Sequence, residues 1–300
     1  MNPWFFTGLS DAEACFSINF FKTLNSKFGW KVQAIFTIGL HNKDIAILDQ
    51  IRSTLGVGKV YKHGENSRQY TVNSLSGLVA LISHFDKYPL ITQKRADYLL
   101  FKSGVNLINN KEHLTVEGFR KIMSIRASMY LGLSNELKAC FSNIVLISRP
   151  LVQNLRVPDP HLLAGFISGE GCFLINLSRS SIYRTGFQVK LVFSISQHNR
   201  DKELMTSLID YFGCGNVYKN REAVDFIITK FSDLKNKLIP FFKKYPIQGV
   251  KFLDYLDFLK VMDIMENKAH ITEEGLDQIR KIKAGMNKGR DIFTEKDRCP

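Results

Sequence analysis

The amino-acid sequence predicts an α+β fold built twice, as a tandem pseudo-twofold repeat of αββαββα units with two antiparallel sheets. Three observations carry this prediction: residues of the first half recur in the second, each half opens with the same helix start, and hydrophobic residues then alternate along the chain. With 300 residues and 45% hydrophobic content, the chain is long enough to bury one large or two medium cores.

The duplication is a single offset that recurs along most of each half. Glu13 and Glu170 lie 157 positions apart. At this offset HNKD (41–44) matches HNRD (198–201), VYK (60–62) matches 217–219, KYP (87–89) matches 244–246, and DYL (97–99) matches 254–256. So many identities in one register exclude coincidence. We therefore expect an N-terminal repeat at 1–130, a linker at 131–157, a C-terminal repeat at 158–290 and a frayed tail at 291–300.

Each half begins with a helix whose start is written in the sequence. Asn2 before Pro3, and Asp159 before Pro160, place an N-cap side chain ahead of a proline at the first helical position. Each of these helices carries two small residues four positions apart, which lie on one face and permit close helix packing. These residues are Gly8 and Ala12 in the first copy, and Gly165 and Gly169 in the second.

Two alternating strands follow each opening helix. Phe16, Ile18 and Phe20, then Val32, Ala34, Phe36 and Ile38, are predicted to face the core, as are their counterparts Phe173, Ile175, Val189, Leu191, Phe193 and Ile195. The opposite face is polar and lightly basic, and its candidate partner-binding residues are Ser17, Asn19, Lys31, Gln33, Thr37, Asn176, Ser178, Gln188, Lys190 and Ser194. Each copy continues with a helix that ends at a glycine, Gly56 or Gly213. It is completed by two short strands and by amphipathic helices. Helices then cover one face of each sheet.

The charge balance predicts an acidic partner. The formal net charge is +13, which favours nucleic acid first and a membrane surface second. No apolar run approaches the length that spans a bilayer. A twisted antiparallel ribbon can enter the major groove of DNA, so the two polar faces predict double-stranded DNA. The five cysteines include no CxxC pair and are expected to be reduced and mostly buried.

The duplication also separates the two acids of the first helix. Asp11 has Ser168 at its equivalent position, whereas Glu13 has Glu170; Asp11 is therefore interpreted as a local helix residue. Both glutamates lie at the negative C-terminal end of a helix. If the small faces of the two helices pack together, the glutamates converge and need hard cations such as Mg²⁺. Such a site suits phosphodiester hydrolysis by a metal-activated water.

The segments FTGLSDAEA (6–14) and LAGFISGEG (163–171) resemble the paired signature of the LAGLIDADG homing endonucleases in their single-chain form. The resemblance covers residues 2–290. GLSNELKACF in the linker, ITQKRADYLLFK and the closing GMNKGR resemble the fungal mitochondrial intron-encoded members. The family resemblance implies a mitochondrial protein that is a monomer and acts as a pseudo-dimer, although the N-terminus has neither a signal-peptide nor a transit-peptide pattern.

The family resemblance further implies a DNA-binding saddle of two sheets, with the signature helices at the central interface. Glu13 and Glu170 would bind Mg²⁺, or Mn²⁺ or Ca²⁺ in its place, with the carbonyls of Ala12 and Gly169, and cut both strands of a long asymmetric site. The resemblance makes Lys94 and Lys251 candidates for stabilising the developing charge. Asn42 and Asn199 are candidates for holding the attacking water.

Several alternatives stay open at this point. A cleavage-impaired relative, such as an intron-splicing maturase that binds intron RNA, would share the scaffold, but the survival of both glutamates favours the enzyme. The charge alone does not separate RNA from DNA. His41 and His198 are either general bases or structural residues. Cys15 and Cys172 are expected to be packed rather than nucleophilic. Ala14 stands where the second copy has Gly171; a required positive φ or a close contact there would cost up to about 1 kcal/mol and make the two centres unequal.

Overall fold

The computed structural model describes residues 1–130, 132–141, 143–153, 156–287 and 290. The predicted tail, 291–300, lies outside these residues. The chain divides into two compact units, residues 1–155 and 156–300. None of the helices within the described ranges is long and apolar enough to cross a membrane.

The first unit has the predicted order of helices and strands. Its strands form one antiparallel sheet in the order β1-β2-β4-β3. Its elements are α1 (Pro3–Glu13), β1 (Ala14–Lys22), β2 (Trp30–His41), α2 (Ile45–Leu55), β3 (Lys59–Lys62), β4 (Ser67–Val72), α3 (Leu75–Lys87), α4 (Lys94–Asn109), α5 (Val116–Ser128) and α6 (Asn135–Cys140).

The second unit repeats this order, with its sheet arranged β5-β6-β8-β7. Its elements are α7 (Pro160–Glu170), β5 (Gly171–Arg179), β6 (Phe187–His198), α8 (Lys202–Phe212), β7 (Asn216–Asn220), β8 (Ala223–Ile228), α9 (Phe231–Asp233), a π-helical segment (Leu234–Leu238), α10 (Ile239–Lys244), α11 (Val250–Glu266) and α12 (Glu273–Ala284). The α+β fold with two antiparallel four-stranded sheets is confirmed.

The predicted helix ends are also confirmed. The side chain of Asn2 accepts hydrogen bonds from the amides of Trp4 and Phe5, and Asp159 accepts one from the amide of His161. Gly56 and Gly213 end α2 and α8 with φ of 68° and 63°, the left-handed conformation that glycine adopts at little cost.

The core of each unit lies between the sheet and its helices, as the alternation predicted. Phe36, Ile38, Phe193 and Ile195 are fully buried on this side. Phe20 and Val32 are only partly buried, because they lie at the far end of the first sheet. There they pack against a cluster formed by Trp30, Phe119, Met123, Leu133 and Leu137. The segment after α5 thus adds its own helix, α6, to the core of the first unit.

The repeat offset is not constant along the chain. Gly58 lies so close to the ring of Tyr70 that a Cβ there would be 2.6 Å from it, and Gly215 lies equally close to Phe226, at 2.7 Å. Tyr70 and Phe226 are therefore equivalent, although they lie 156 rather than 157 positions apart. The π-helical segment Leu234–Leu238 lies between this point and the KYP matches. A π-bulge accommodates one extra residue, so it restores the offset.

Candidate active site

Each predicted catalytic glutamate is the last residue of its signature helix. Glu13 ends α1 and Glu170 ends α7, and in both cases the next residue begins a strand of the sheet. Both side chains are half-buried. A carboxylate here adds its charge to the unsatisfied carbonyls of the helix C-terminus, which makes each helix end a place for a cation.

A lysine occupies this position in both units. Lys94 is the first residue of α4, and its Nζ donates hydrogen bonds to the carbonyls of Ser10 and Ala12, each at 3.2 Å. Lys251 donates to the carbonyl of Gly169 in the same way. The structure thus brings each predicted lysine to the carbonyl that the resemblance gave as a metal ligand. The ammonium offsets the negative helix end.

Asp11 does more than a local helix residue would, so that interpretation was wrong. Its carboxylate is buried and accepts hydrogen bonds from the amide of Ile91 at 2.7 Å and from the hydroxyl of Thr92 at 2.6 Å. Thr92 Oγ1 in turn accepts from the amide of Lys94 at 3.1 Å. Burial raises the pKa of Asp11 to about 6, although these hydrogen bonds and Lys94 oppose the shift. Asp11 therefore anchors the segment that carries Lys94.

The second unit reaches a similar arrangement without a buried acid. Ser168 Oγ donates to the carbonyl of Ala164 at 2.8 Å and accepts from the amide of Gln248 at 3.0 Å. One neutral hydroxyl thus stands where the first unit has a carboxylate, and it accepts a hydrogen bond from the backbone of the segment before Lys251. The sequence shows the difference between Asp11 and Ser168. It does not reveal the hydrogen-bond partners of these two residues, which lie about 80 positions away along the chain.

Glu170 lines an open cleft of about 780 Å³. The cleft is bounded by the end of β6 and by the turn between β7 and β8. Its lining residues are Glu170, Ser196, Gln197, His198, Asn220, Arg221, Glu222 and Ala223. Gln197 and Arg221 were not identified from the sequence, since the first unit has Leu40 at the position of Gln197 and the duplication gave no signal.

The strand-end histidines and asparagines form tight turns. His41 Nδ1 accepts from the amide of Lys43 at 3.2 Å, and His198 Nδ1 accepts from the amide of Arg200 at 3.1 Å. Asn42 donates its side-chain amide to the carbonyl of Glu65 at 3.0 Å. Asn199 is exposed and is not among the residues that line the cleft beside Glu170. These contacts support the structural interpretation of the two histidines.

The ten predicted DNA-contacting residues all lie on the open face of their sheet. Strand register places Asn19 opposite Gln33 and Asn176 opposite Lys190, with the buried residues on the alternate positions. The remaining members of the set have the same parity: Cys15 is opposite Thr37, Ser17 opposite Ile35, Phe21 opposite Lys31, Cys172 opposite Ser194 and Ser178 opposite Gln188. Each unit therefore presents a polar surface that begins directly at its signature glutamate.

The cysteines only partly follow expectation. Cys299 lies outside the described residues. Of the other four, Cys214 is buried, but Cys15 and Cys140 are exposed and Cys172 is intermediate, so for these the expectation that they are mostly buried was wrong. Cys15 and Cys172 lie on the open face because they share the parity of the polar residues. Desolvation by the surrounding protein raises the pKa of both thiols, even with Lys94 near Cys15 and Lys251 near Cys172. A protonated thiol is a poor nucleophile, which agrees with a non-catalytic role.

Ala14 does not strain the first unit. It has φ of −83° and Gly171 has φ of −70°, so neither position needs a positive φ. The glycine avoids two close contacts with Ile167: a Cβ on Gly171 would lie 2.5 Å from its side-chain Cγ2 and 2.8 Å from its backbone carbonyl oxygen. The residue equivalent to Ile167 is Ser10, which is smaller. The first unit therefore combines Ala14 with the smaller Ser10, whereas the second combines Gly171 with the larger Ile167.

The donors present in each unit suit a hard divalent cation. One glutamate and the neighbouring carbonyl are oxygen ligands, and Mg²⁺ takes few protein carboxylates while keeping water or phosphate oxygens. Within the residues that the structure describes, no three His, Cys, Asp or Glu side chains group closely enough to hold a metal. One glutamate and one carbonyl in each unit fit a cation that takes its other ligands from water and a substrate phosphate.

A family profile, similar proteins and similar solved structures all identify the same family. The profile of the LAGLIDADG endonucleases matches residues 6–105 and 163–262. "Probable intron-encoded endonuclease 3" of Neurospora crassa is 41% identical over 93% of this chain, and "Probable intron-encoded endonuclease 2" of the same organism is 38% identical over 95%. The chain spans 53% and 65% of the length of these relatives.

Solved structures match over nearly the whole chain. The I-SmaMI LAGLIDADG homing endonuclease bound to cleaved DNA superposes with a TM-score of 0.95 at 45% identity, covering 97% of this chain and 98% of that one. I-SmaMI bound to uncleaved DNA in the presence of calcium ions gives a TM-score of 0.93 at 44% identity, covering 96% of this chain and 99% of that one. With two signature helices, two polar sheets and these matches, the chain belongs to the LAGLIDADG endonuclease family.

Proposed function

We propose that this protein is a site-specific homing endonuclease that makes double-strand breaks in a long, asymmetric DNA target with the help of Mg²⁺. One observation carries the proposal: each unit combines a signature glutamate, a lysine at the same helix end and a polar sheet face that starts beside them. The relatives named as intron-encoded endonucleases and the DNA-bound I-SmaMI structures support it.

The mechanism assigns one centre to each unit. Glu13 with the carbonyl of Ala12, and Glu170 with that of Gly169, would hold Mg²⁺, Mn²⁺ or Ca²⁺. When bound, such a cation lowers the pKa of water and polarises the phosphate. Lys94 and Lys251 would place their ammonium groups beside the developing negative charge, where a preoriented cation is most effective. Asn42 and Asn199 are kept as candidates for positioning water, with Gln197 added in the second unit.

The sheets would supply binding and specificity. Lysines and amides on the open faces, such as Lys31, Gln33 and Lys190, suit phosphate oxygens and base edges. We propose the two repeats and the linker as 1–130, 131–157 and 158–290, with one chain acting as a pseudo-dimer. We also propose a mitochondrial location and intron RNA as an additional partner, since the relatives are named as intron-encoded.

The test is cleavage of a duplex library with a randomised sequence. The protein is compared with Glu13→Gln and Glu170→Gln, each with and without Mg²⁺, and ends are mapped by sequencing. We expect unmutated protein with Mg²⁺ to enrich one class of cut site, and each variant to lose double-strand cleavage while it still binds DNA. Binding without cleavage by the unmutated protein would favour the maturase alternative. Full cleavage by either variant would refute the assignment of the glutamates.

A further inference from the structure

Three apolar residues lie together on the open face of the second sheet, among residues that would otherwise read DNA by hydrogen bonds. They are Leu174, Val192 and Ile227, here called the apolar patch. We propose that the apolar patch contacts the 5-methyl groups of thymines in the half of the target bound by the second unit. This inference rests on the proposed DNA-cleaving function and names the bases that one surface selects.

The apolar patch follows from strand register. Leu174 on β5 lies directly opposite Val192 on β6, and Ile227 on β8 lies opposite Ser194, two residues further along β6. Val192 and Ile227 are therefore diagonal neighbours, within reach of each other across the sheet. Leu174 keeps 41% of its surface exposed, while Val192 and Ile227 are half-buried. All three side chains point away from the core, which is filled from the alternate positions.

The first unit shows that the fold does not need apolar residues at two of these three positions. Its residues equivalent to Leu174 and Val192 are Ser17 and Ile35, at the offset of 157. Thr71 is equivalent to Ile227, since the offset at this strand is 156 and Thr71 lies opposite Thr37 as Ile227 lies opposite Ser194. Two hydroxyl side chains in one copy are thus aliphatic in the other. Single exposed aliphatic residues are ordinary, but three on adjacent strands form one surface.

The surroundings of the apolar patch identify its partner. Asn176 and Lys190 lie opposite each other one step further along the same face, so the apolar patch belongs to the basic, hydrogen-bonding surface proposed to meet DNA. Within the major groove every base edge offers donors or acceptors, and thymine alone adds a methyl group. An aliphatic side chain can gain contact energy from that methyl group, and it leaves donors and acceptors of other bases unsatisfied.

Distance along the strand places the contacted bases. Leu174 is four residues after Glu170, and a strand rises about 3.3 Å per residue, so the apolar patch lies roughly 13 Å from the signature glutamate. DNA rises about 3.4 Å per base pair. The selected thymines should therefore lie about four base pairs from the bond cut by the second unit, and the equivalent positions of the other half-site should lack this preference.

The experiment uses the full chain and the cut site enriched from the random library. In that site, deoxyuridine replaces each thymine of the second half in turn, which removes one methyl group and keeps all hydrogen bonds. Affinity is measured in Ca²⁺ and the cleavage rate in Mg²⁺. We expect deoxyuridine three to five base pairs from the cut to weaken binding about fourfold for each buried methyl group, and deoxyuridine elsewhere to change little.

The matched variant is Leu174→Ser combined with Ile227→Thr, which copies the first unit. It should respond much less than the unmutated protein to deoxyuridine, while its unfolding temperature changes little, because both residues lie on the open face and Ser17 and Thr71 hold the equivalent places in the first unit. The reciprocal variant, Ser17→Leu with Thr71→Ile, should create deoxyuridine sensitivity in the other half-site. Cleavage with no deoxyuridine effect, or an enriched site without thymine at these positions, would overturn the inference while leaving the proposed function intact. Failure of the unmutated protein to cut any DNA would instead overturn the function.

Discussion

At the scale of single residues, the two halves solve the same problems with different side chains. The strand that follows each signature helix begins at Ala14 or Gly171, and the choice depends on whether Ser10 or Ile167 lies one helical turn earlier. Close packing makes such pairs interdependent. A departure from the family signature therefore need not weaken a site, because its neighbour has changed with it.

We expect Gly171→Ala to destabilise the second unit by about 1–3 kcal/mol through overpacking against Ile167, and to slow cleavage of the strand cut by Glu170. In the background of Ile167→Ser, which leaves the residue pair of the first unit, the same substitution should cost less, because the contact with Cγ2 is gone and only the contact with the carbonyl oxygen of residue 167 remains. Thermal unfolding and strand-resolved cleavage of the four proteins in this cycle measure the coupling. Equal costs in both backgrounds would show that the carbonyl oxygen of residue 167, and not the Ile167 side chain, causes the loss.

At the scale of secondary-structure elements, α3 carries a pH-sensitive contact that the second unit lacks. Thr7 Oγ1 donates to the carbonyl of Tyr88 at 3.0 Å, so His84 Nε2, also 3.0 Å from that hydroxyl, must be the donor in their hydrogen bond. Burial lowers the pKa of His84 to about 4. The equivalent residues in the second unit are Ala164 and Phe241, which do not titrate.

A lowered folded-state pKa means that the unfolded chain binds the proton more readily. The contribution of His84 is therefore fully present above its ordinary pKa of about 6.5 and is lost as the pH falls towards 4. When the pH falls from 7.5 to 5, we expect protonation of His84 in the unfolded chain to lower the free energy of unfolding of the first unit by about 2 kcal/mol. Urea titrations followed by fluorescence report on this unit, because both tryptophans, Trp4 and Trp30, lie in it. Asp11, whose pKa burial raises to about 6, titrates in the same range with the opposite sign, so His84 is isolated by the difference in slope between the unmutated protein and Thr7→Ala with His84→Phe; equal slopes would contradict the assignment.

The linker is tied to the helix that carries Lys94. Arg149 donates to both carboxylate oxygens of Asp97, at 2.8 and 2.7 Å, and Gln93 donates to the carbonyl of Val152 at 3.1 Å. In the second unit Arg290 makes the equivalent contact with Asp254, at 2.8 Å. Asp97 and Asp254 are nearly buried, with 7% and 6% exposure, so each depends on its arginine for compensation.

Arg149→Ala should destabilise the first unit by about 2–4 kcal/mol, since it leaves the charge of Asp97 buried and unpaired. Asp97→Asn in the same chain should recover most of this loss, because a neutral amide does not need the arginine. Tryptophan-monitored urea unfolding of the single and double variants gives the coupling energy. A double variant no more stable than Arg149→Ala would indicate that Arg149 acts through packing instead.

The fold could be predicted from the sequence because its information is local or repeated. Alternation fixed the faces of β1 and β2, and the duplication separated Glu13 from Asp11. The contacts of Asp97 with Arg149 and of Asp11 with Thr92 could not be predicted, since their partners lie 52 and 81 positions away and neither pair follows a periodic pattern. The DYL match that contains Asp97 and Asp254 was the available signal, but a symmetric buried acid does not name its partner.

At the scale of the whole molecule, the main question is whether the two centres are functionally equal. Both glutamates end an eleven-residue helix, both helix ends receive a lysine, and Ala14 and Gly171 share an extended backbone. The first centre depends on Asp11 to anchor the segment before Lys94, whereas the second uses Ser168. Any difference between the strands should therefore follow Asp11 and not Ala14.

We expect Ala14→Gly to leave the relative cutting rates of the two strands unchanged, with at most about 1 kcal/mol of lost stability. Asp11→Ser, which copies Ser168, should slow the strand cut by Glu13 at least tenfold, because Thr92 loses its acceptor and Lys94 loses its anchored segment. Each strand of an asymmetric duplex carries its own fluorescent label, so that nicked intermediates reveal which strand lags. Glu13→Gln serves as the reference for complete loss of the first centre. Slowing of both strands by Asp11→Ser would mean that Asp11 supports the fold as a whole, and slowing by Ala14→Gly would mean that the signature residue itself sets the rate.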